Sequence, residues 1–245
     1  MPRPTKAAVE RVVDTPALLV RRVDVGDQDV LATFFTRERG AVSVSVRRAR
    51  APKSRLGPIE PLHTLQLRLE ILARADAVKL RDLAIVRARL ALVEDPARLD
   101  AASRLLRWLR ALAPANVPEP VAFDLVDAAL DRIEDGPSAA ATAVLAVAGL
   151  SLAAAFGYRL ELDSCVRCSA PCPEGSSALL DPAAGGIVCR ACGGGSVLMR
   201  AALRQSLRRA MRGEETELGR QDAERVADLA ERTIAAHAKG QEARR

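Results

Sequence analysis

The cysteines are the residues of this 245-residue chain best suited to chemistry, and four of its five cysteines form a repeated pattern. Two C-x2-C pairs flank twenty intervening residues, and they consist of Cys165, Cys168, Cys189 and Cys192. Two residues between thiols allow both sulfurs of one tight turn to reach the same ion, and two such turns complete a tetrahedral shell. The pattern predicts a structural zinc site of four thiolates. The surrounding insert, about residues 163–196, has no extended apolar core, so metal binding would supply its folding energy.

Other uses of these cysteines are disulfides, a redox-active dithiol or a catalytic zinc site. Disulfides fit poorly, because residues 1–25 contain no apolar signal-peptide core and the cytosol is reducing. A redox dithiol needs a thioredoxin-like context, which the sequence lacks. A catalytic zinc needs an open coordination position, whereas four thiolates fill the shell and the only histidines are His63 and His237. Cys172 is a fifth thiol, either a spectator or an occasional substitute ligand.

A basic segment over residues 37–57 is the second candidate site. Its seven bases and one acid give a local net charge of +6, which equals the net charge of the whole chain. Such a local excess of arginine predicts a surface that binds the phosphates of a polyanion. The candidate DNA-binding residues are Arg37, Arg39, Arg47, Arg48, Arg50, Lys53 and Arg55.

Interpretations of the arginines that involve no binding function remain open. The arginine excess of the whole chain also follows from a GC-rich coding sequence, and a solvated loop with scattered salt bridges is common. Against that, Glu38 and Glu60 are too few local partners for seven bases. A second basic group on one predicted helix is followed at once by an acidic run that can neutralise it; this group is Arg200, Arg204, Arg208, Arg209 and Arg212.

Enzymatic motifs are missing from the sequence. It contains no G-x-x-x-x-G-K-[ST] phosphate loop and no G-x-G-x-x-G after a strand. Two histidines cannot plausibly support a Ser-His-Asp arrangement, and no acidic cluster suggests two-metal phosphoryl chemistry. We therefore expect a protein that is not an enzyme.

The elements that must position these residues change character along the chain. Alternation of apolar and polar residues over 42–46 and 65–71 is typical of half-buried strands. With apolar runs at 17–23, 30–36 and 78–83, residues 1–82 are predicted to form a small closed five-stranded OB-like barrel. The basic segment would lie at its rim, where it could bind nucleic acid.

Residues 83–245 form the second predicted domain, which is helical and carries the zinc insert, so the fold class is α+β. Apolar residues at three- and four-residue spacing and punctuating prolines predict helices over 83–93, 97–112, 121–134, 139–156, 197–212 and 217–239. Residues 136–158 carry no charge and could span a membrane by length. However, half of the positions from Ala139 to Phe156 are alanine, which indicates the central helix of a soluble bundle instead.

Several segments, in order, resemble the bacterial RecO family of recombination mediators. They are 18–27, the F-T-R-E-x-G hairpin 35–40, the basic stretch 47–55, and the segments 157–168 and 182–192 around the cysteines. Together they span about residues 12–200. Two positions depart from the family pattern: Arg39, where the family often has His, and Leu56, where an aromatic is common. Since an aromatic would stack on bases, we expect phosphate contacts to dominate DNA binding here.

The resemblance implies a non-catalytic factor for DNA repair and recombination. It would bind single- and double-stranded DNA, anneal complementary strands coated with single-strand-binding protein, contact that protein's C-terminal tail, and with RecR promote RecA loading at gaps and breaks. It would be cytoplasmic and nucleoid-associated, with no membrane partner. Some members of the family lack the four cysteines, which implies that Zn2+ is structural. The alternative hypothesis is a non-catalytic zinc-ribbon protein-interaction scaffold in which the basic segment is incidental.

Overall fold

The computed structural model of the protein describes residues 9–49, 59–73, 77–214 and 216–242. The chain divides into two compact units. Unit 1 comprises Met1–Leu90 with Ala113–Asp127, and unit 2 comprises Ala91–Leu112 with Ala128–Arg245. Each unit has its own core and is described separately below.

Unit 1 is built on a five-stranded antiparallel sheet, as predicted. Its strands are β1 Val9–Val25, β2 Asp29–Thr36, β3 Gly40–Val46, β4 Thr64–Leu72 and β5 Val78–Arg87, in the spatial order β3-β2-β1-β4-β5. The long strand β1 pairs with β4 along its first half and with β2 along its second half. The alternation in β3 is that of a half-buried strand, because Val42, Val44 and Val46 are buried while Ser43 and Ser45 are exposed.

The expectation of a closed barrel was wrong. The edge strands β3 and β5 approach to within 8 Å between Cα atoms, but no hydrogen-bonded pairing joins them in the part of the chain that is described. Closure requires a particular strand tilt and stagger, and an alternating sequence pattern does not encode either. The ladder between β4 and β5 is also interrupted by two register shifts.

The core of unit 1 lies on one face of the sheet and includes Phe34, Leu65, Leu67 and Leu69, each fully buried. Residues 113–127 close over the β2–β3 hairpin. There the Ala41 N–H donates to the Pro114 carbonyl at 3.3 Å, and Phe35 stacks on Phe123 with 6.4 Å between ring centroids. Segments far apart in sequence therefore complete this unit.

Unit 2 is mainly helical, and α3 begins in the part of the chain assigned to unit 1. The helices are α1 Ala91–Glu94, α2 Pro96–Leu112, α3 Pro120–Asp135, α4 Ala141–Ala155, α5 Ala201–Ala210 and α6 Arg220–Glu242. Two helix predictions were partly wrong. Residues 83–87 continue β5, and 197–199 form a strand, because short apolar runs fit either period until tertiary pairing selects one.

The helical stretch Ser138–Ala155 is long and apolar enough to cross a membrane, with a mean hydropathy of 1.8. In unit 2, however, α4 packs against both α2 and α6, and Leu145, Leu150 and Leu152 are buried. Gly149 lets the Trp108 ring of α2 pack against the backbone of α4, since a Cβ there would lie 2.4 Å from that ring. This is the packing of a core helix, as predicted for the alanine-rich segment.

The cysteine-containing insert of unit 2 is a small four-stranded sheet. Its strands are β6 Glu161–Cys165, β7 Ala178–Asp181, β8 Gly186–Ile187 and β9 Val197–Met199, in the order β6-β8-β7-β9. These strands were not predicted from the sequence, because each is at most five residues long.

Candidate metal centre and nucleic-acid interface

The first C-x2-C pair lies in a tight turn at the end of β6. Cys165 is the last residue of that strand and is buried, and Cys168 is exposed three residues later. The Ser169 N–H donates to the Cys165 carbonyl at 2.8 Å, and Ser169 has a left-handed backbone with φ of 59°. The turn thereby directs two thiols to one side of the strand end.

The second pair follows β8. Cys189 precedes a 3-10 turn that contains Cys192, and two glycines with positive φ, Gly193 and Gly194, close this turn. The N–H groups of both glycines donate back into the turn at 3.0 Å. Since β8 pairs with β6, the sheet brings the two turns together.

The four predicted ligands converge on one point. Their Sγ atoms all lie within 4.8 Å of one another, and the Sγ atoms of Cys168 and Cys189 are 3.7 Å apart. A tetrahedron with metal–sulfur bonds of about 2.3 Å has edges of roughly 3.8 Å, so the spacing fits a metal ion at the centre. The group could therefore hold a metal ion. Cys172 is not one of the four converging thiols.

The pKa values of two thiols in the cluster are shifted in opposite directions. The pKa of Cys165 is lowered to about 6, chiefly because the backbone N–H of Cys189 donates to its sulfur at 3.4 Å. The pKa of Cys192 is raised to about 12, chiefly because its thiol hydrogen-bonds to Cys168 and Cys189. The cluster thus holds protons that a bound cation would displace.

The predicted DNA-binding residues of unit 1 have different surroundings. Arg47 and Arg48 are exposed in the turn that follows β3, and Arg48 has a positive φ of 55°. Arg37 is already paired, with Nε 2.8 Å from Oδ1 of Asp124 and Nη2 2.9 Å from Oδ2. Arg39 is half-buried, and within the described part of the chain its Nε is buried without a hydrogen-bond partner. Arg50, Lys53 and Arg55 lie outside the described residues.

The second basic group is held within unit 2, and Glu214 of the acidic run that follows it pairs with two of its arginines. Arg200 pairs with Asp222 at 2.9 Å, and Glu214 accepts hydrogen bonds from Arg209 at 3.0 Å and Arg212 at 2.8 Å. Arg204 is buried and bonds to backbone carbonyls of the insert. These arginines are therefore engaged in internal contacts.

The acidic partners of the unit 1 arginines were not predicted from the sequence. Asp124 is 87 residues from Arg37, and Asp127 accepts a hydrogen bond at 2.8 Å from the fully buried Arg89, 38 residues away. The Arg89 guanidinium also donates to the Thr64 hydroxyl at 2.9 Å. No local spacing signals such contacts, because the first turns of α3 bring the carboxylates to the sheet only in the folded unit.

Comparison with known proteins gives a consistent result along the chain. Residues 11–89 match the family Recombination protein O N terminal, and residues 93–241 match Recombination protein O C terminal. A DNA repair protein RecO from Myxococcus xanthus is 34% identical over 210 residues, covering 84% of each chain. One from Anaeromyxobacter sp. (strain K) is 33% identical over 184 residues, covering 75% of this chain and 71% of the relative.

Proposed function

The chain belongs to the RecO family, with a role in DNA repair and recombination, and we propose that it acts there as a non-catalytic mediator. It binds single- and double-stranded DNA and anneals complementary strands coated with single-strand-binding protein. It contacts the C-terminal tail of that protein and, with RecR, promotes RecA loading in gap and break repair. Its place of action is the cytoplasm, at the nucleoid.

The exposed pair Arg47 and Arg48, at the end of β3, is the observation that supports this proposal most directly. Within the described residues neither side chain has an ion-pair partner, whereas Arg37 is neutralised by Asp124. Annealing brings two polyanions together, and their repulsion must be offset by a shared cationic surface. The pair leads directly into Arg50, Lys53 and Arg55, which continue the positive charge along the sequence.

The metal that we propose for the cysteine cluster is zinc. Four thiolates form a closed, soft tetrahedral shell, which is the donor set of structural zinc sites. Cys165, Cys168, Cys189 and Cys192 would hold the ion, which supplies folding energy to the insert. A shell filled by protein ligands leaves no open position for a reacting water, which supports a structural role.

Strand annealing tests the proposed function. Complementary oligonucleotides coated with the cognate single-strand-binding protein are mixed with wild type at two salt concentrations. They are then mixed with a variant carrying alanine at Arg47, Arg48, Arg50, Lys53 and Arg55. If about six phosphates are neutralised, log affinity for single strands falls with log salt at a slope near −4. We expect the variant to lose annealing and flatten that slope.

A matched control carries alanine at Arg209 and Arg212, which already pair with Glu214. We expect this control to anneal like wild type. A basic-segment variant with an unchanged slope would place the DNA site elsewhere, and a wild type that neither binds nor anneals would overturn the mediator function.

An interaction scaffold centred on the zinc insert is the second candidate function. It is favoured by an apolar groove of about 320 Å³ on the insert, whose lining includes Leu179 and Leu198. Leu198 is 68% exposed, so its side chain adds to the apolar surface at this groove. A scaffold would lose its function with Cys165→Ser and keep it with the basic segment replaced by alanine, whereas the mediator loses its function with that replacement.

A further inference from the structure

We propose that Arg204 of α5 is a positioning residue for the metal centre, although it is not a ligand. It holds in place the hairpin of residues 163–174, which carries Cys165 and Cys168. This inference rests on the proposed zinc site. It adds that the conformational stability of α5 is coupled to metal binding.

The hairpin is short and closes on itself through backbone hydrogen bonds. The Cys172 N–H donates to the Asp163 carbonyl at 2.8 Å, and the Cys165 N–H donates to the Ala170 carbonyl at 2.9 Å. An isolated bridge also pairs Ser164 with Pro171. The position of the segment around Cys172 therefore determines the position of the turn that presents the first pair of thiols.

Arg204 fastens that segment to α5. Arg204 is only 2% exposed. Its guanidinium donates from Nη1 to the Cys172 carbonyl at 3.3 Å and from Nη2 to the Pro173 carbonyl. A buried arginine is costly to desolvate unless its donors are used, so the two carbonyls and the guanidinium depend on each other.

Arg208 extends the same contact by one helical turn. Its Nε lies 2.7 Å from Oδ1 of Asp163, and its Nη1 lies 3.2 Å from Oε1 of Glu174. Residues four apart lie on one face of a helix, so Arg204 and Arg208 contact the hairpin from the same side. Since Asp163 and Glu174 are the two ends of the hairpin, α5 contacts both its ends and its return strand.

This arrangement has a consequence for metal affinity. The four Sγ atoms must stay within 4.8 Å of one another to surround an ion, and two of them belong to this hairpin. If Arg204 is lost, the hairpin samples more conformations, and metal binding must then supply the cost of ordering it. Residues that orient metal ligands without touching the metal typically account for 10- to 100-fold in affinity.

The test measures zinc affinity of the full chain by competition with a chromophoric chelator. We expect Arg204→Met to bind zinc about 10- to 100-fold more weakly than wild type, and Arg204→Lys to recover part of the loss. The matched control is Arg200→Gln, on the N-terminal side of the same helix, whose partner Asp222 lies outside the hairpin. An Arg204→Met protein that folds and binds zinc as tightly as this control overturns the proposal.

A measurement on wild type covers the case in which Arg204→Met fails to fold. Coupling between two sites is reciprocal, so zinc must stabilise α5 as much as α5 favours zinc. We expect hydrogen exchange of the amides of Ala201–Ala210 to slow when zinc binds, and unchanged exchange would overturn the proposal. A wild type that takes up no zinc overturns the zinc site itself, and this result is distinct from zinc uptake without dependence on Arg204.

Discussion

Arg37 and Asp124 form a two-pronged salt bridge, with Nε to Oδ1 at 2.8 Å and Nη2 to Oδ2 at 2.9 Å. The bridge ties the β2–β3 hairpin to the first turns of α3, within unit 1. It also pairs one of the seven predicted DNA-binding cations with a carboxylate, although both side chains stay about half exposed. The guanidinium that the sequence places in the basic segment therefore serves first as a structural contact.

Replacing Arg37 should weaken DNA binding less than replacing Arg47. Each free cation that meets a single-strand phosphate contributes about 0.7 to the slope of log affinity against log salt, and a paired one contributes less. We expect Arg47→Ala to reduce that slope by about 0.7 and Arg37→Ala to leave it nearly unchanged. Fluorescence anisotropy titrations at four salt concentrations measure both slopes. Equal losses for the two variants would mean that Arg37 leaves Asp124 to bind DNA.

The same bridge predicts a pH dependence of stability. The hydrogen bonds from Arg37 hold the pKa of Asp124 below its ordinary value of 3.8. The stabilisation is therefore present above the ordinary pKa and is lost as pH falls through the lower folded value. Both side chains are about half exposed, so the effect should be below about 1 kcal/mol. Urea unfolding between about pH 5 and pH 2 should show a shallower loss of stability in Arg37→Met than in wild type.

Asp127, one helical turn after Asp124, should matter far more for folding. It is the carboxylate partner of Arg89, which is completely buried. Replacing Asp127 with alanine leaves a buried cation without that carboxylate, a change that costs about 3–5 kcal/mol. Asp124→Ala, on the same helix, is the matched control and should cost less than about 1 kcal/mol. Chemical denaturation measures the free energy of unfolding of both variants. Similar losses of stability would contradict the idea that burial of Arg89 makes its partner more important than Asp124.

Gly40 should not tolerate a side chain. It has a left-handed φ of 64°, and a Cβ there would lie 1.9 Å from the Val117 carbonyl oxygen. Gly26 offers a matched control, because its φ is 56° but nothing lies within 4 Å of its Cβ position. We expect Gly26→Ala to cost about 1–2 kcal/mol from backbone strain alone. Gly40→Ala should cost more than about 2 kcal/mol, because the hairpin and the segment around Val117 must also separate. Thermal unfolding ranks the two.

Metal binding should weaken as pH falls, because protons compete for the thiolates. Cys192, whose pKa is raised to about 12 by its thiol neighbours, must release a proton whenever the metal binds below that pH. Cys165, with a pKa lowered to about 6, is mostly a thiolate at neutral pH and releases only a small fraction of a proton there. Zinc titrations in two buffers of different ionisation enthalpy count the released protons.

Cys189→Ser should abolish zinc binding, whereas Cys172→Ser should preserve it. The reverse result would mean that Cys172, and not Cys189, is the ligand.

The convergence of the four cysteines could be predicted from local sequence because its geometry is mostly local. Two residues between cysteines determine the shape of each turn, and the two turns need only one strand pairing to meet. Two strands of unit 1 were likewise readable from the alternation of apolar and polar residues, as in β3, and the other three from short apolar runs. The alanine-rich composition of α4 similarly indicated a core helix rather than a membrane span.

Only the tertiary structure decided which charges are free and whether the sheet closes. The arginines 37, 47 and 48 look alike in the sequence, yet Arg37 is neutralised by a carboxylate 87 residues away. Arg204 looks like one more surface cation of a basic helix, but it is buried against the carbonyls of the hairpin that carries Cys165 and Cys168. The physical reason is that turns and periodicity depend on neighbouring residues, whereas ion pairing, burial and barrel closure depend on segments that meet only after folding.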